Sequence, residues 1–534
     1  SNTKFKIANI LFIPFKIIPG KKISNANNAI IGGIKITNLL TNLLDYINKS
    51  NLYIEEKGVD KIMYSQLLEN SKDIFIYSEN EINDIIKIYE KINFSDNILL
   101  RKKSDYFIEE GKKISYYLNN INNNFDTFLS ILGHNKRKKY LIVFQNNDEI
   151  RAQGGFMGSM GILEIFRGEI KKFEKRDIYD YEFKLKKEYF IRENAPEGLN
   201  KITDKLGLRD SNYYINNKYS SEKIKFFINK AGFNIDGIIY INQNTLFKIL
   251  DFIGEYNSEV LNTKINSKNF SVIMSSLVEA KNSKVGTLGT PKQILFDFIE
   301  EFKNKLSSEK INKLNIIKII LKDIKNREIT FYNFNKKERD LLKEISLYNP
   351  IKYNEAIDYN YPVFTSISGN KSDRYIKTSF TKKVEKGKNC EYKINFEVNL
   401  EHTFNKTEED KILKIFNIFN IKNNINNLLN IQGKGINKQY IRVVIPSNTI
   451  LETNNNTFSV KTYNKVGKVV SFYLNTKPGE KSNFNFEYII LNKSCSLYNY
   501  KIYKQPGIKK YNLELNKFGE KRFFSNIKED LLLN

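Results

Sequence analysis

The 534-residue sequence is poor in the residues that build most metal centres and nucleophilic active sites. It contains two His, two Cys and four Met, and it has no Trp. Zinc fingers, cysteine-rich metal scaffolds and iron–sulfur proteins need more His and Cys than this chain offers. Any catalysis is therefore expected to use carboxylates, arginines and a hard metal ion such as Mg²⁺.

Acidic residues are outnumbered, with 60 Asp and Glu against 86 Lys and Arg, which gives a net charge of +26. Such a surplus first suggests nucleic acid, because basic proteins gain affinity by releasing phosphate counterions. Residues 140–300, however, carry 23 basic and 21 acidic side chains, so this segment is almost neutral. The distribution disfavours nucleic acid. Anionic envelope polymers or lipid headgroups explain the flanking surplus equally well, as does the Lys, Asn and Ile bias of an AT-rich genome.

Long hydrophobic runs are also missing. No stretch of about 20 apolar residues occurs, so no transmembrane helix is predicted. The sequence begins at Ser1 and not at Met, which leaves two alternatives open: a cleavage site that follows a removed signal or membrane anchor, or a boundary chosen within a longer chain. The two cysteines, Cys390 and Cys495, leave two alternatives open: one disulfide, or two buried free thiols.

Hydrophobic periodicity predicts an α+β multidomain protein with three parts. Residues 1–135 show helical spacing at Ile36, Leu39, Leu40 and Leu43, which predicts a helical bundle or stalk. Residues 136–350 alternate predicted strands and helices, which is typical of an α/β domain. Residues 351–534 contain short strands of period two, which predict an antiparallel β-sandwich.

The densest polar cluster follows the apolar strand predicted at residues 140–144. We interpret residues 145–153 as a loop beyond the end of a buried strand, where open α/β sheets bind ligands. Its candidate binding residues are Asn147, Glu149, Arg151, Gly154 and Gly155. Glycine lets a backbone approach a ligand closely. The alternative is a tight turn in which Arg151 pairs with Glu149 or with another acid.

Two Arg-Asp pairs lie in the same part of the chain: Arg176-Asp177 and Arg209-Asp210. The guanidinium of Arg makes bidentate hydrogen bonds to phosphate oxygens, and the carboxylate of Asp is a hard oxygen ligand for Mg²⁺. Together with Arg151 these residues could line a pyrophosphate–Mg²⁺ site. The alternative is that they form ordinary surface ion pairs.

The motif that begins at Tyr140 resembles a known bacterial family. The segment reads Tyr-Leu-Ile-Val-Phe-Gln-Asn-Asn-Asp-Glu-Ile-Arg-Ala-Gln-Gly-Gly-Phe-Met-Gly-Ser over residues 140–159. It resembles the hallmark of the family called domain of unknown function 4012. Shorter matches follow at residues 208–213, which include Asn212, at residues 235–241, and at the Gln-Pro-Gly of residues 505–507.

The core of that family is distantly similar to the LytR–CpsA–Psr phosphotransferases, which move glycopolymers from polyprenyl-pyrophosphate carriers. This resemblance implies a LytR–CpsA–Psr-like central domain. It implies catalytic roles for Arg151, Arg176 and Asp177. We add substrate-binding roles for Asn147, Glu149, Gly154, Gly155, Arg209 and Asn212. We also expect Mg²⁺ to be held by Asp177 and Asp210.

The expected function is therefore that of an extracytoplasmic, cell-envelope protein. Its central domain would bind a polyprenyl-(pyro)phosphate-linked glycopolymer or another anionic envelope polymer, and could transfer it as a Mg²⁺-dependent phosphotransferase. A missing upstream anchor would hold the protein at the membrane. The alternative is a non-enzymatic cell-surface adhesion or structural protein.

Overall fold

The computed structural model describes residues 22–57, 64–92, 98–182, 193–280, 292–307, 311–354, 356–388, 391–451, 458–463, 467–491 and 498–533. Both cysteines, Cys390 and Cys495, lie outside these residues, so the disulfide alternative stays a prediction. Within the described ranges, no helix combines the length and the apolar character needed to cross a bilayer.

The fold is mixed α/β. The α-helices in chain order are α1 Lys22–Lys57, α2 Tyr64–Asn70, α3 Lys72–Glu90, α4 Ile98–Asn123, α5 Phe125–Ile131, α6 Asn217–Lys230, α7 Gln243–Ile253, α8 Phe270–Glu279, α9 Gln293–Ser307, α10 Lys313–Lys325, α11 Lys336–Glu344, α12 Lys406–Ile418 and α13 Ile425–Leu429.

The strands also follow in chain order. They are β1 Lys138–Arg151, β2 Gly154–Phe166, β3 Glu169–Asp177, β4 Gly237–Asn242, β5 Tyr256–Ser258, β6 Thr263–Ile265, β7 Ile329–Asn333, β8 Asp358–Ser366, β9 Ile376–Lys386, β10 Glu391–His402, β11 Asn437–Ile445, β12 Thr449–Leu451, β13 Ser459–Tyr463, β14 Gly467–Thr476, β15 Lys481–Leu491, β16 Tyr500–Ile502, β17 Tyr511–Lys517, β18 Glu520–Ile527 and β19 Leu531–Leu533.

The chain forms two compact units. Of the described residues, the first comprises those up to Lys139 together with Leu163–Lys172 and Asn333–Ile345, and the second contains the others. In the first unit, α3 packs against α1 and α4. The predicted helical face is buried at Ile36 and Leu39, which contact Ile85. The same spacing extends to Ile47, but that side chain is 50% exposed, because the packed face ends before it.

The second unit contains most of the central sheet, whose strand order is β3-β2-β1-β4-β7. β1 and β4 are parallel, with Tyr140 opposite Gly237 and Gln145 opposite Asn242. The helix predicted after β4 is confirmed as α7, which ends at Gly254 with a φ of 77°. That positive φ suits the residue without a side chain.

The prediction of a loop over residues 145–153 is wrong. β1 continues to Arg151, and only Ala152 and Gln153 separate it from β2. Polar sequence is typical of a loop, but every side chain from residue 145 to residue 151 is buried or partly buried. Apart from Gln145, these polar side chains can occupy a strand because they find hydrogen-bond or ion-pair partners inside the protein.

The same unit contains two six-stranded sheets, here called the paired sheets. Their strand orders are β12-β15-β10-β9-β17-β18 and β13-β14-β11-β8-β16-β19. Both sheets contribute to one hydrophobic core, with Phe380 and Phe396 from the first and Phe364 and Phe472 from the second. The prediction of purely antiparallel pairing is wrong, because β16 pairs in parallel with β8, and β17 with β9.

Candidate functional site

Arg151 ends β1 in a buried position, only 3% exposed. Its Nη2 atom lies 3.3 Å from Asp210 Oδ1, and its Nη1 atom donates to the backbone oxygen of Ser366 at 2.9 Å. The guanidinium also lies over the ring of Phe156, 5.5 Å from its centre. Arg151 is thus neutralised inside the protein by Asp210, and not by Glu149.

Asp210 lies in the 3₁₀ segment Leu208–Tyr213, and its carboxylate is shared by two arginines. Oδ1 faces Arg151, and Oδ2 lies 3.4 Å from the Nε atom of Arg209. The Asp210 side chain is only 4% exposed. We call this arrangement of Arg151, Asp210 and Arg209 the arginine triad. A buried carboxylate of this kind is stable only because both neighbours compensate its charge.

Arg209 leads from the arginine triad towards solvent, with 29% of its side chain exposed. Its Nε atom lies 3.6 Å from Glu182 Oε2, and its guanidinium lies over the ring of Tyr179 at 5.4 Å. Burial alone would lower the pKa of Arg209, but Glu182 and Asp210 raise it above its ordinary value. Arg209 is therefore a permanent cation at the edge of this cluster.

The Arg176-Asp177 pair at the end of β3 splits into two environments. Arg176 is half exposed and pairs with Glu174 at 3.3 Å. Asp177 accepts hydrogen bonds from Lys292 Nζ at 2.7 Å and from the backbone nitrogen of Tyr179 at 3.1 Å. Only Asp177 therefore joins the cluster around Tyr179.

Lys292, like Tyr179 and Glu182, belongs to this cluster but was not among the predicted site residues. Its Nζ atom lies 4.6 Å from the ring centre of Tyr179, the ring that Arg209 also covers. Burial lowers the pKa of Lys292, although Asp177 opposes this shift. The structure thus brings Arg151, Arg209 and Asp210 into direct contact and connects Asp177 to them through Lys292 and Tyr179.

The carboxylates expected to hold Mg²⁺ do not fit such a site as they are arranged. Mg²⁺ takes oxygen ligands in near-octahedral geometry. Asp210 gives both oxygens to arginines, and Asp177 is engaged by Lys292. In the part of the chain that the structure describes, no group of three or more His, Cys, Asp and Glu side chains could hold a metal ion.

The predicted binding residues of β1 also have partners within the protein. Asn147 donates to Asn242 Oδ1 at 3.1 Å and accepts from the backbone nitrogen of Asn244 at 3.2 Å, at the start of α7. Glu149 pairs with Lys371 Nζ at 2.9 Å. These contacts connect β1 to α7 and to the segment before β9.

The two glycines allow close packing of the protein against itself. Gly154 has a φ of 140°, and a Cβ atom there would overlap the side chain of Asn242. A Cβ atom at Gly155 would overlap the backbone of Asn146. The backbone oxygen of Gly155 accepts a hydrogen bond from Asn212 Nδ2 at 2.7 Å. The glycines are therefore explained without a ligand.

The C-terminal Gln-Pro-Gly turn packs directly against the motif. Gln505 Nε2 donates to the backbone oxygens of Arg151 at 2.8 Å and Phe364 at 2.9 Å. A Cβ atom at Gly507 would overlap the backbone of Gly154 and the side chain of Asn147. These two motifs are 354 residues apart and form one joint between β1 and the paired sheets.

A second buried ion pair in the motif was also missed. Asp148 is 3% exposed and accepts from Arg374 Nη2 at 2.7 Å and Nε at 3.0 Å. Asp148 stands between two predicted binding residues, so its acidic character in a buried strand was the available signal. Its pKa is lowered, because Arg374 outweighs the cost of burial.

Several buried polar atoms beside the motif have no hydrogen-bond partner among the described residues. They are Gln145 Nε2 and Oε1, Arg151 Nε, Asn212 Oδ1, Asn242 Nδ2 and Asn244 Oδ1. Buried polar atoms are normally satisfied by protein, water or a bound group. This edge of the central sheet therefore has unused hydrogen-bonding capacity.

Comparison with known families places a match on this part of the chain. Residues 135–278 match the model of a family described as Protein of unknown function (DUF4012). No curated protein matches the chain. The matched segment contains β1, the glycines, the arginine triad and β4, and it supports the assignment of this region to the DUF4012 family.

Proposed function

We propose that this chain is a cell-envelope protein that acts by binding and not by catalysis, as a surface-adhesion or structural protein. The supporting observation is the arginine triad, in which Asp210 is shared by Arg151 and Arg209. The charges expected to carry phosphoryl transfer neutralise one another there, and they stabilise the protein itself.

Catalysis by these residues would require breaking the arginine triad. A metal ion needs free carboxylate oxygens, and a pyrophosphate needs free guanidinium donors. Releasing Asp210 would leave Arg151 buried without its counterion, which is strongly unfavourable. A role in holding β1 to the 3₁₀ segment requires no such rearrangement.

The envelope location and the partner belong to the same proposal. Nearly all of the +26 charge lies outside residues 140–300, where the flanks would attract anionic envelope polymers or lipid headgroups. The family resemblance agrees with an extracytoplasmic protein held by an upstream anchor. Binding of such polymers should weaken as salt is raised, because exposed charges are screened.

A second candidate function is the binding of a polyprenyl-(pyro)phosphate-linked glycopolymer, as the distant similarity to the LytR–CpsA–Psr enzymes implies. The observation that favours it is the set of unpartnered polar atoms around Gln145 and Asn242. Arg209 and Lys292, both over the ring of Tyr179, would supply positive charge beside the arginine triad, where Arg151 Nε is also unpartnered among the described residues. Transfer of the polymer would then need a rearranged arginine triad.

One experiment tests both candidates. The purified full chain is incubated with Mg²⁺, a short polyprenyl-pyrophosphate-linked oligosaccharide and a glycan acceptor, and both binding and transfer are measured. We expect no transfer. Transfer that disappears in Arg151→Lys would overturn the non-catalytic proposal.

The binding arm separates the second candidate from the first. If the lipid-linked sugar binds at this cluster, Arg209→Ala and Lys292→Ala should each weaken binding by roughly tenfold, because each removes a charge-assisted contact. Arg176→Ala is the matched control, since Arg176 contacts Glu174 instead. Equal affinity in all three variants would count against the second candidate.

A further inference from the structure

A second charged cluster lies wholly inside the core of the paired sheets. Lys382 of β9 is 0% exposed, and Asn360 and Asp358 of β8 are 0% and 3% exposed. The Lys382 Nζ atom lies 2.8 Å from Asn360 Oδ1 and 2.7 Å from Asp358 Oδ2. We call these three residues the lysine triad.

The lysine triad joins the two sheets across their shared core. β9 belongs to one sheet and β8 to the other. Lys382 stands where an apolar residue is expected, between the buried side chains of Phe380 and Val384 on the same face of β9. A lysine at such a position is costly and needs a specific explanation.

Aromatic side chains surround the amine. Lys382 Nζ lies 4.3 Å from the ring centre of Tyr500, 5.1 Å from that of Tyr488 and 5.6 Å from that of Phe396. Tyr488 Oη accepts from Lys382 at 2.7 Å and donates to Asp358 Oδ1 at 3.1 Å. Asn360 Nδ2 also donates to Tyr488 at 3.1 Å, so the amide is held in a fixed orientation.

We propose that Lys382 and Asn360 react within the folded chain to form an intramolecular amide bond that covalently joins the two sheets. The Nζ atom attacks the side-chain carbonyl carbon of Asn360, so an Nζ–Cγ bond forms and the Cγ–Nδ2 bond breaks. The former amide nitrogen leaves as ammonia, which carries away the surplus proton as ammonium. No oxidant, metal or cofactor is needed.

Asp358 moves the protons in this reaction. It first takes a proton from the Lys382 ammonium, which turns the amine into a nucleophile, and then passes that proton to the departing nitrogen of Asn360. Burial lowers the pKa of Lys382 to about 8, although Asp358 opposes this shift, so the neutral amine is accessible. The dry core also keeps water from competing with the amine.

The inference does not depend on the proposed function. It concerns a cross-link inside the paired sheets, whereas the proposed function rests on the arginine triad. A result that contradicts the cross-link therefore leaves the proposed function unaffected, and the reverse also holds.

Intact-mass spectrometry of the purified full chain tests the proposal. We expect a mass lower than that of the sequence by one ammonia, and a branched peptide that joins residues 360 and 382 after proteolysis. The branched peptide distinguishes the cross-link from ammonia lost by cyclisation of another asparagine. A mass equal to that of the sequence would overturn the proposal and leave an ion pair only. Loss of one water would instead place the bond on Asp358 and overturn the assignment of Asn360.

Variants provide the controls. Lys382→Met and Asp358→Ala should each restore the mass of their sequence, because one removes the nucleophile and the other the proton carrier. Lys504→Met is the matched control, since Lys504 is an equally buried lysine paired with Glu328 at 2.9 Å. It should keep the deficit of one ammonia. If the first two variants fail to fold, the mass of the unaltered chain still tests whether the amide bond forms.

Discussion

The arginine triad and the lysine triad are clusters of three residues around a buried carboxylate, but they differ in whether their charged groups can lose a proton and react. In the first, Asp210 is shared by two guanidiniums, which remain charged under all ordinary conditions. In the second, one ammonium, that of Lys382, can lose its proton, and it contacts both Asp358 and the carboxamide of Asn360. The first cluster is thus a permanent structural joint, whereas the second, which is more deeply buried, has the composition that our proposed amide bond requires.

The largest effect on stability is expected from a substitution that breaks the arginine triad. Asp210→Ala leaves Arg151 buried without a counterion, so the free energy of unfolding should fall by about 3–5 kcal/mol. Urea unfolding measures it. Asp105→Ala is the control, because the Arg101–Asp105 pair is exposed and 3.9 Å long. A similar loss in both variants would contradict the role assigned to Asp210.

A somewhat smaller loss of unfolding free energy is expected when a glycine of each region is replaced by alanine. Gly154→Ala combines a φ of 140° with an overlap on Asn242, and should cost about 2–4 kcal/mol. Gly479 has a φ of 78° in the turn between β14 and β15, with open space around it. Gly479→Ala should therefore cost only about 1 kcal/mol. Thermal unfolding of both variants gives the comparison, and equal costs would show that packing at Gly154 adds nothing.

A third prediction uses pH to separate lysine from arginine. In Asn360→Ala, which lacks the proposed electrophile, Lys382 should have a pKa of about 8, while the unfolded chain keeps that proton until about pH 10.4. Between pH 8 and 10 unfolding takes up a proton, so stability should rise by up to about 2 kcal/mol.

The control for this pH dependence is the double variant Asn360→Ala with Lys382→Met. Its free energy of unfolding should lack that rise. The same slope in both proteins would show that another group titrates, and that Lys382 keeps an ordinary pKa. The arginine triad contributes no slope in this range, because its guanidiniums do not lose their protons.

The smallest expected effect lies at the exposed edge of the first region. Arg176→Ala removes a half-exposed pair with Glu174, and stability should change by less than about 1 kcal/mol. Chemical denaturation measures it. A loss comparable to that of Asp210→Ala would mean that Arg176 belongs to the buried cluster after all.

Elements with a clear hydrophobic period could be predicted from the sequence. The helical face at Ile36 and Leu39 and the helix that ends at Gly254 are confirmed, because each depends on local spacing. The extension of β1 to Arg151 could not be predicted. It depends on distant partners such as Gln505, 354 residues away, and local polarity suggested a loop instead.

The candidate site shows the same division. The Arg-Asp composition of residues 209 and 210 drew attention to the right segment, but only the structure showed that the charges neutralise one another. Lys292 gave no signal, because one lysine in a basic chain is unremarkable by composition. Lys382 did give one: its place between Phe380 and Val384 breaks the period-two alternation of a strand core.

The parallel pairs of the two sheets have a consequence for how this protein is made. β16 extends the sheet beside β8, and β17 extends the other sheet beside β9, so both sheets take strands from residues 500–533. During synthesis neither sheet can acquire its last two strands until the ribosome has released that final stretch, because β8 and β9 cannot pair with residues that are not yet translated. Each sheet should therefore reach its full set of strands only after nearly the whole chain has been synthesised.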